Sequence, residues 1–67
     1  MNSVYKVIEI IGTSDASWED AARNAIETAS KSLKDIRVAE VKELDISDDN
    51  NKLVFRVKLR VSFKFVD

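Results

Sequence analysis

Leu53, Phe55, Val57, Leu59, Val61, Phe63 and Phe65 put an apolar side chain at every second position near the end of the chain. Arg56, Lys58, Arg60, Ser62 and Lys64 stand between them. A period of two belongs to a β-strand with one dry and one wet face, so this stretch predicts a long strand. Val4–Ile11 reads VYKVIEII, rich in β-branched residues and too short for a helix. It predicts a strand that is apolar on both faces and needs cover on both. Arg37–Ile46 is a further strand candidate, and the polar run Ser47–Asn51, SDDNN, predicts a hairpin loop whose asparagines tolerate left-handed backbone.

Between the first two strands the period changes. Trp18, Ala22, Ala25, Ile26, Ala29 and Leu33 recur at three- and four-residue spacing, with Arg23, Asn24, Glu27 and Lys31 off the stripe, which predicts one amphipathic helix. Ser17 stands at the N-cap position and Asp20 three residues on, a capping-box-like pair, so the helix is expected to start at Trp18. Asp15, Glu19 and Asp20 lie at its positive end and Lys31 and Lys34 at its negative end. Much of the stripe is alanine, which lets the helix lie close on a sheet. Gly12, the only glycine, is expected to end the first strand, because glycine enters the left-handed region freely and leaves no side chain in a tight strand exit.

These elements make one α+β domain over residues 1–67 with the order β-α-β-β. A right-handed crossover runs the first two strands in one direction, and the hairpin reverses the third. Placing the long third strand in the middle gives a three-stranded antiparallel sheet of order 1-3-2 that partly wraps the helix. One helix covers only part of one face of such a sheet.

Length sharpens that point, since a 67-residue chain buries only about 60% of the surface its unfolded form exposes. With no cysteine and no histidine, disulfides and thiolate or imidazole metal sites are excluded, and self-association is the remaining source of stability. Eleven Lys and Arg against twelve Asp and Glu leave a net charge of −1, which offers no general attraction to nucleic acid or anionic membranes. No apolar run approaches the ~20 residues of a membrane helix, and the N-terminus lacks a signal-peptide pattern. The expectation is a soluble, cytoplasmic protein with no nucleic-acid or membrane partner.

YKVIEIIGTS (Tyr5–Ser14), SWEDAARNAIETASKSL (Ser17–Leu33), VAEVKEL (Val38–Leu44) and FRVKLRVSFKF (Phe55–Phe65) together resemble the dodecin family over nearly the whole chain. The I-G-T-S strand exit, the alanine-rich helix and the A-E-V segment carry the likeness. The resemblance implies a β-α-β-β subunit of a hollow spherical homododecamer, whose best-known members bind flavins in pockets shared between subunits.

In that family a tryptophan just before A-E-V stacks on the flavin ring, and a glutamine on the last strand hydrogen-bonds to it. Val38 and Arg56 occupy those positions here and are the candidate cofactor-binding residues. Valine offers apolar contact without a π-face, and arginine donates but does not accept. Losing a stacking partner worth ~1–3 kcal/mol lowers affinity by one to two orders of magnitude. Trp18 starts the helix stripe and is read as a core or interface residue. The basic row Arg56, Lys58, Arg60 and Lys64 is read as paired with Glu40, Glu43 and Asp45, in a register that the sequence leaves open.

Asp45–Asn51, DISDDNN, has oxygen side chains at calcium-loop spacing, but Asn50 and Arg56 stand where an EF-hand needs glycine and a bidentate glutamate. A looser calcium site built by several subunits stays open, and no metal ligands are assigned within one chain. No spacing of carboxylates, lysines, hydroxyls or Tyr5 suggests catalysis, so no catalytic residue is expected. The functional expectation is a dodecin-like shell that binds, stores or buffers a flavin-type small molecule (riboflavin, FMN or FAD) in an atypical pocket. The alternative is a structural or ion-binding assembly of the same kind, calcium included.

Overall fold

The computed structural model describes residues 3–66. Strand β1 spans Val4–Ser14, helix α1 Trp18–Ser30, strand β2 Ile36–Asp49 and strand β3 Lys52–Val66. The sheet order is β1-β3-β2 with both pairings antiparallel, so the expected α+β architecture is present with the long strand in the middle.

Gly12 does not end β1. It lies inside the strand, paired with Val57, and its φ is not positive. A Cβ at this position would stand 2.1 Å from the Ala21 carbonyl oxygen and 2.8 Å from the Ala25 Cβ. Glycine is needed because the helix backbone passes directly over the strand, a steric demand rather than a conformational one. The same contact corrects the helix stripe: Ala21 and Ala25, one turn apart, are the buried helical residues, and Ala22 sits at the margin.

Val57, Leu59 and Val61 of β3 face these alanines and are at most 2% exposed. Ile8, Ile10, Trp18, Ile26 and Ile36 pack around them. Each buried Val or Leu contributes roughly 1.5–3 kcal/mol, which makes this a small core for a whole domain. The dry face of β3 outruns its cover, since Leu53 and Phe65 at its two ends are more than half exposed. On the other face of the sheet Tyr5, Val7 and Ile11 of β1 are about half exposed, so the cover that strand requires does not come from within the chain.

Ser17 caps α1 as expected, its Oγ accepting from the Asp20 amide at 3.0 Å. The reciprocal half of the capping box is replaced: the Asp20 carboxylate accepts from Ser14 Oγ at 2.7 Å, and that hydroxyl accepts from the amides of Ala16 and Ser17. Ser14, nearly buried, is the joint between strand and helix. The helix ends at Ser30, earlier than the stripe predicts, as Ser32 and Leu33 both donate to the Ala29 carbonyl and close the last turn. Lys31 is therefore the C-cap, and Lys34 lies beyond it.

The hairpin is tighter than expected. β2 runs on through Ser47, Asp48 and Asp49, paired with Val54, Leu53 and Lys52, and only Asn50 and Asn51 turn, with φ of 52° and 63°. Positive φ at both central residues marks the primed turn that suits the twist of a hairpin.

Replacing Gly12 by alanine is expected to destabilise the fold by about 1–3 kcal/mol or more, because the new methyl meets a backbone carbonyl that side-chain motion cannot relieve. Replacing Asn51 by glycine is expected to change stability by less than about 0.5 kcal/mol, since glycine adopts the same φ without strain. Thermal unfolding followed by circular dichroism checks both.

Candidate functional site

The face of the sheet turned away from α1 carries the candidate residues. Along β3 it presents Arg56, Lys58, Arg60 and Ser62, with β1 on one side and β2 on the other. Two register shifts in β2, between Ile36 and Val38 and between Val41 and Glu43, decide what stands opposite each of them. The second shift inserts Lys42 as an extra residue, so that Val41 and Leu44 both point to the helix side and Glu40 and Glu43 both point away.

The result is a ladder of ion pairs. Arg60 Nη2 reaches Glu9 Oε2 at 3.3 Å, Lys58 Nζ lies 3.4 Å from Glu43 Oε1 and 4.0 Å from Glu9 Oε1, and Arg56 Nε lies 2.9 Å from Asp45 Oδ1. Of the carboxylates expected to pair with the basic row, Glu43 and Asp45 do so. Glu40 instead approaches Lys42 at 3.8 Å, and Glu9 of β1, missed in the sequence reading, takes its place. A central strand has neighbours on both sides, and the β1 register brings Glu9 opposite Arg60.

Arg56 is thus committed to Asp45. The approach is ionic: the Nε hydrogen does not point along the line to the carboxylate oxygen and has no other acceptor. Both side chains are about half exposed, so solvent screening holds such a pair to about 1 kcal/mol or less. The backbone of Asp45 is held from the opposite face, where the Trp18 indole N–H donates to its carbonyl at 3.1 Å. The Trp18 ring also meets Phe55 edge to face, 5.2 Å between centroids. Trp18 therefore ties the start of α1 to β2 and β3, in keeping with its reading as a packing residue.

Val38 lies at the other end of the face. It stands opposite Ser62, is well exposed, and lines an open groove with Tyr5, Arg37 and Ser62. Six residues of β3 separate Ser62 from Arg56, about 20 Å along the strand. One protomer therefore does not bring Val38 and Arg56 together. A site using both takes them from different copies.

Asp45, Ser47 and Asp49 do not curl around a point. They sit on one face of extended β2 at successive spacings of about 6.7 Å, far from the ~2.4 Å at which oxygens share a calcium ion. Among the described residues no three His, Cys, Asp or Glu side chains gather as a metal site. Among the same residues no helix is long and apolar enough to cross a membrane. A second groove runs between the free edge of β1 and α1, lined by Gly12, Thr13, Asn24, Ala25, Thr28 and Ala29 among others.

The dodecin family model matches residues 4–66. The chain belongs to the dodecin family. It is 57% identical over 63 residues to a protein named calcium dodecin from Mycobacterium tuberculosis, covering 92% of this chain and 89% of that one. It superimposes with a TM-score of 0.88 on a crystal structure described as a calcium-chelating immunodominant antigen, calcium dodecin, from that organism, with a novel calcium-binding site. That alignment is 56% identical and covers 94% and 91% of the two chains. The dodecin of Streptomyces davaonensis is 29% identical with a TM-score of 0.91 over the full length of both chains. A Thermus thermophilus protein is 31% identical with a TM-score of 0.89 over 98% of each.

Trp18→Phe keeps a ring against Phe55 and deletes the indole donor, so a loss of about 0.5–1.5 kcal/mol is expected. Trp18→Ala is expected to cost more, because the contact with Phe55 goes as well. Asp45→Asn, which removes only the half-exposed pair to Arg56, is expected to change stability by about 1 kcal/mol at most. Urea unfolding of the three variants at one protein concentration checks this order.

Proposed function

We propose that this chain is the subunit of a homododecameric shell that holds a divalent cation, calcium in the first instance, at contacts between subunits. The observation that carries the reading is the Arg56–Asp45 pair. At the position where the flavin-binding members of the family have a glutamine, this chain has a cation already engaged by its own carboxylate, and at the stacking position Val38 has no ring. Likeness to a protein named calcium dodecin, at 57% identity, supports the same direction. The carboxylates of one protomer are spread along a flat sheet rather than gathered, so ligands from several copies are needed to complete a calcium shell of six to eight oxygens. The role is binding and storage rather than catalysis.

A second reading is a flavin-type ligand in the groove of Tyr5, Arg37, Val38 and Ser62, where Tyr5 supplies an aromatic face and Arg37 a charge. Equilibrium dialysis against calcium and titration with riboflavin, FMN and FAD separate the two. Saturable, chelator-reversible calcium binding with unquenched flavin fluorescence is expected. Flavin quenching without calcium uptake would favour the second reading. Val38→Trp with Arg56→Gln is expected to raise flavin affinity by more than the sum of the single changes, since a stacked ring is held where the amide reaches it. A double variant that assembles normally and gains nothing would show that Val38 and Arg56 do not face the ligand.

Light scattering is expected to give a mass near twelve subunits. Dilution is expected to lower the thermal midpoint, because assembly stabilises the folded chain by mass action.

A further inference from the structure

The helix covers β1 and the middle of β3 and leaves β2 bare. Val41, Leu44 and Ile46 of β2 lie on the helix side of the sheet with 54%, 52% and 48% of their surface exposed. These three form a continuous ridge only because of the bulge at Lys42. Without it, Leu44 would point to the charged face. The strand spends an irregularity to keep three aliphatic side chains in line where nothing in its own chain covers them.

The concave counterpart lies on the opposite edge of the same protomer. Its wall is built from Gly12, Ala25, Ala29 and Thr28, so the groove between β1 and α1 has about 530 Å³ of space and no bulky side chain from the helix filling it. The free backbone edge of β1 runs beside this groove, and the free edge of β2 carries the ridge. A compact monomer of 7.6 kDa exposes about 4,300 Å² by the general relation of area to mass, whereas this chain exposes 5004 Å². The surplus of about 700 Å² is close to the roughly 800 Å² that each partner contributes to a stable interface.

We infer that the Val41–Leu44–Ile46 ridge of one copy seats in the β1–α1 groove of the next, joining subunits head to tail. The ridge is large and convex and the groove small-walled and concave, so each fits the other better than itself. Such a contact repeats from copy to copy and must close or grow without limit. In a tetrahedral shell of twelve, which rests on the reading above, the rotation axes are two-fold and three-fold. A head-to-tail contact is incompatible with a two-fold axis, so this one closes as a ring of three.

The chain has no cysteine, which makes the test clean. Leu44→Cys and Thr28→Cys, singly and together, are treated in the assembled full chain with a short bifunctional maleimide, with light scattering on each variant. The double variant is expected to give two- and three-chain bands on a denaturing gel and nothing larger, and each single variant is expected to remain one chain. Dimers from Leu44→Cys alone would mean that ridge packs on ridge and would overturn the inference. So would a double variant that stays uncrosslinked in a shell of normal size, which leaves the shell reading standing. A parent chain that scatters as a monomer would overturn both. Leu44→Asp, with its fold verified by circular dichroism, is expected to lose the shell mass. Retention of that mass would count against the ridge.

Discussion

The approach of α1 to β1 at Gly12 sets the position of everything else. With no side chain at Gly12 and only methyl groups at Ala21 and Ala25, helix and strand meet backbone to backbone. A helix held that low on one edge of the sheet covers β1 and the central Val57, Leu59 and Val61, and its width runs out before β2. Dense local packing on one side therefore produces bare apolar surface on the other. The economy of the core and the exposure of Val41, Leu44 and Ile46 are two effects of one close contact.

Asp45 is where the two faces of the sheet meet. Its carbonyl accepts from Trp18 on the helix side while its carboxylate faces Arg56 on the other. Each contact is modest in energy, about 1 kcal/mol, but they act on opposite faces of one residue and so oppose a slip of β2 in register. Register matters here more than strength, since a one-residue slip would exchange the aliphatic ridge with Glu40 and Glu43.

Much of this was legible in the sequence, and the reason is periodicity. Alternation from Leu53 to Phe65 identified the central strand, and the spacing from Trp18 to Ala29 identified the helix, because both patterns are imposed by burial on one side. Ser17 was readable as a cap because capping is a local matter of a few residues. Gly12 was misread as a left-handed strand end, since its reason lies ten residues away in Ala21, a contact between elements that no local rule reveals. The hairpin turn shrank to Asn50 and Asn51 for a similar reason: polar Ser47, Asp48 and Asp49 pair with β3 although their composition resembles a loop. Arg56 could be seen to need a carboxylate, but the choice of Asp45 and the entry of Glu9 depended on a bulge at Lys42, which leaves no mark in the pattern of apolar and polar residues.

The same geometry places binding chemistry at the level of the assembly. Val38 and Arg56 stand about 20 Å apart along one sheet, and the carboxylates of that face alternate with the cations of β3 rather than collecting at a point. An ion-pair ladder of this kind is close to neutral, and a neutral sheet face neither attracts nor repels a copy of itself strongly. Apolar contact can then decide how copies pack, and packing decides which side chains of different copies come within reach of one ligand. A carboxylate freed from its ladder partner at such a junction has lost a cation and kept its charge, which is the condition under which a divalent ion is the natural replacement.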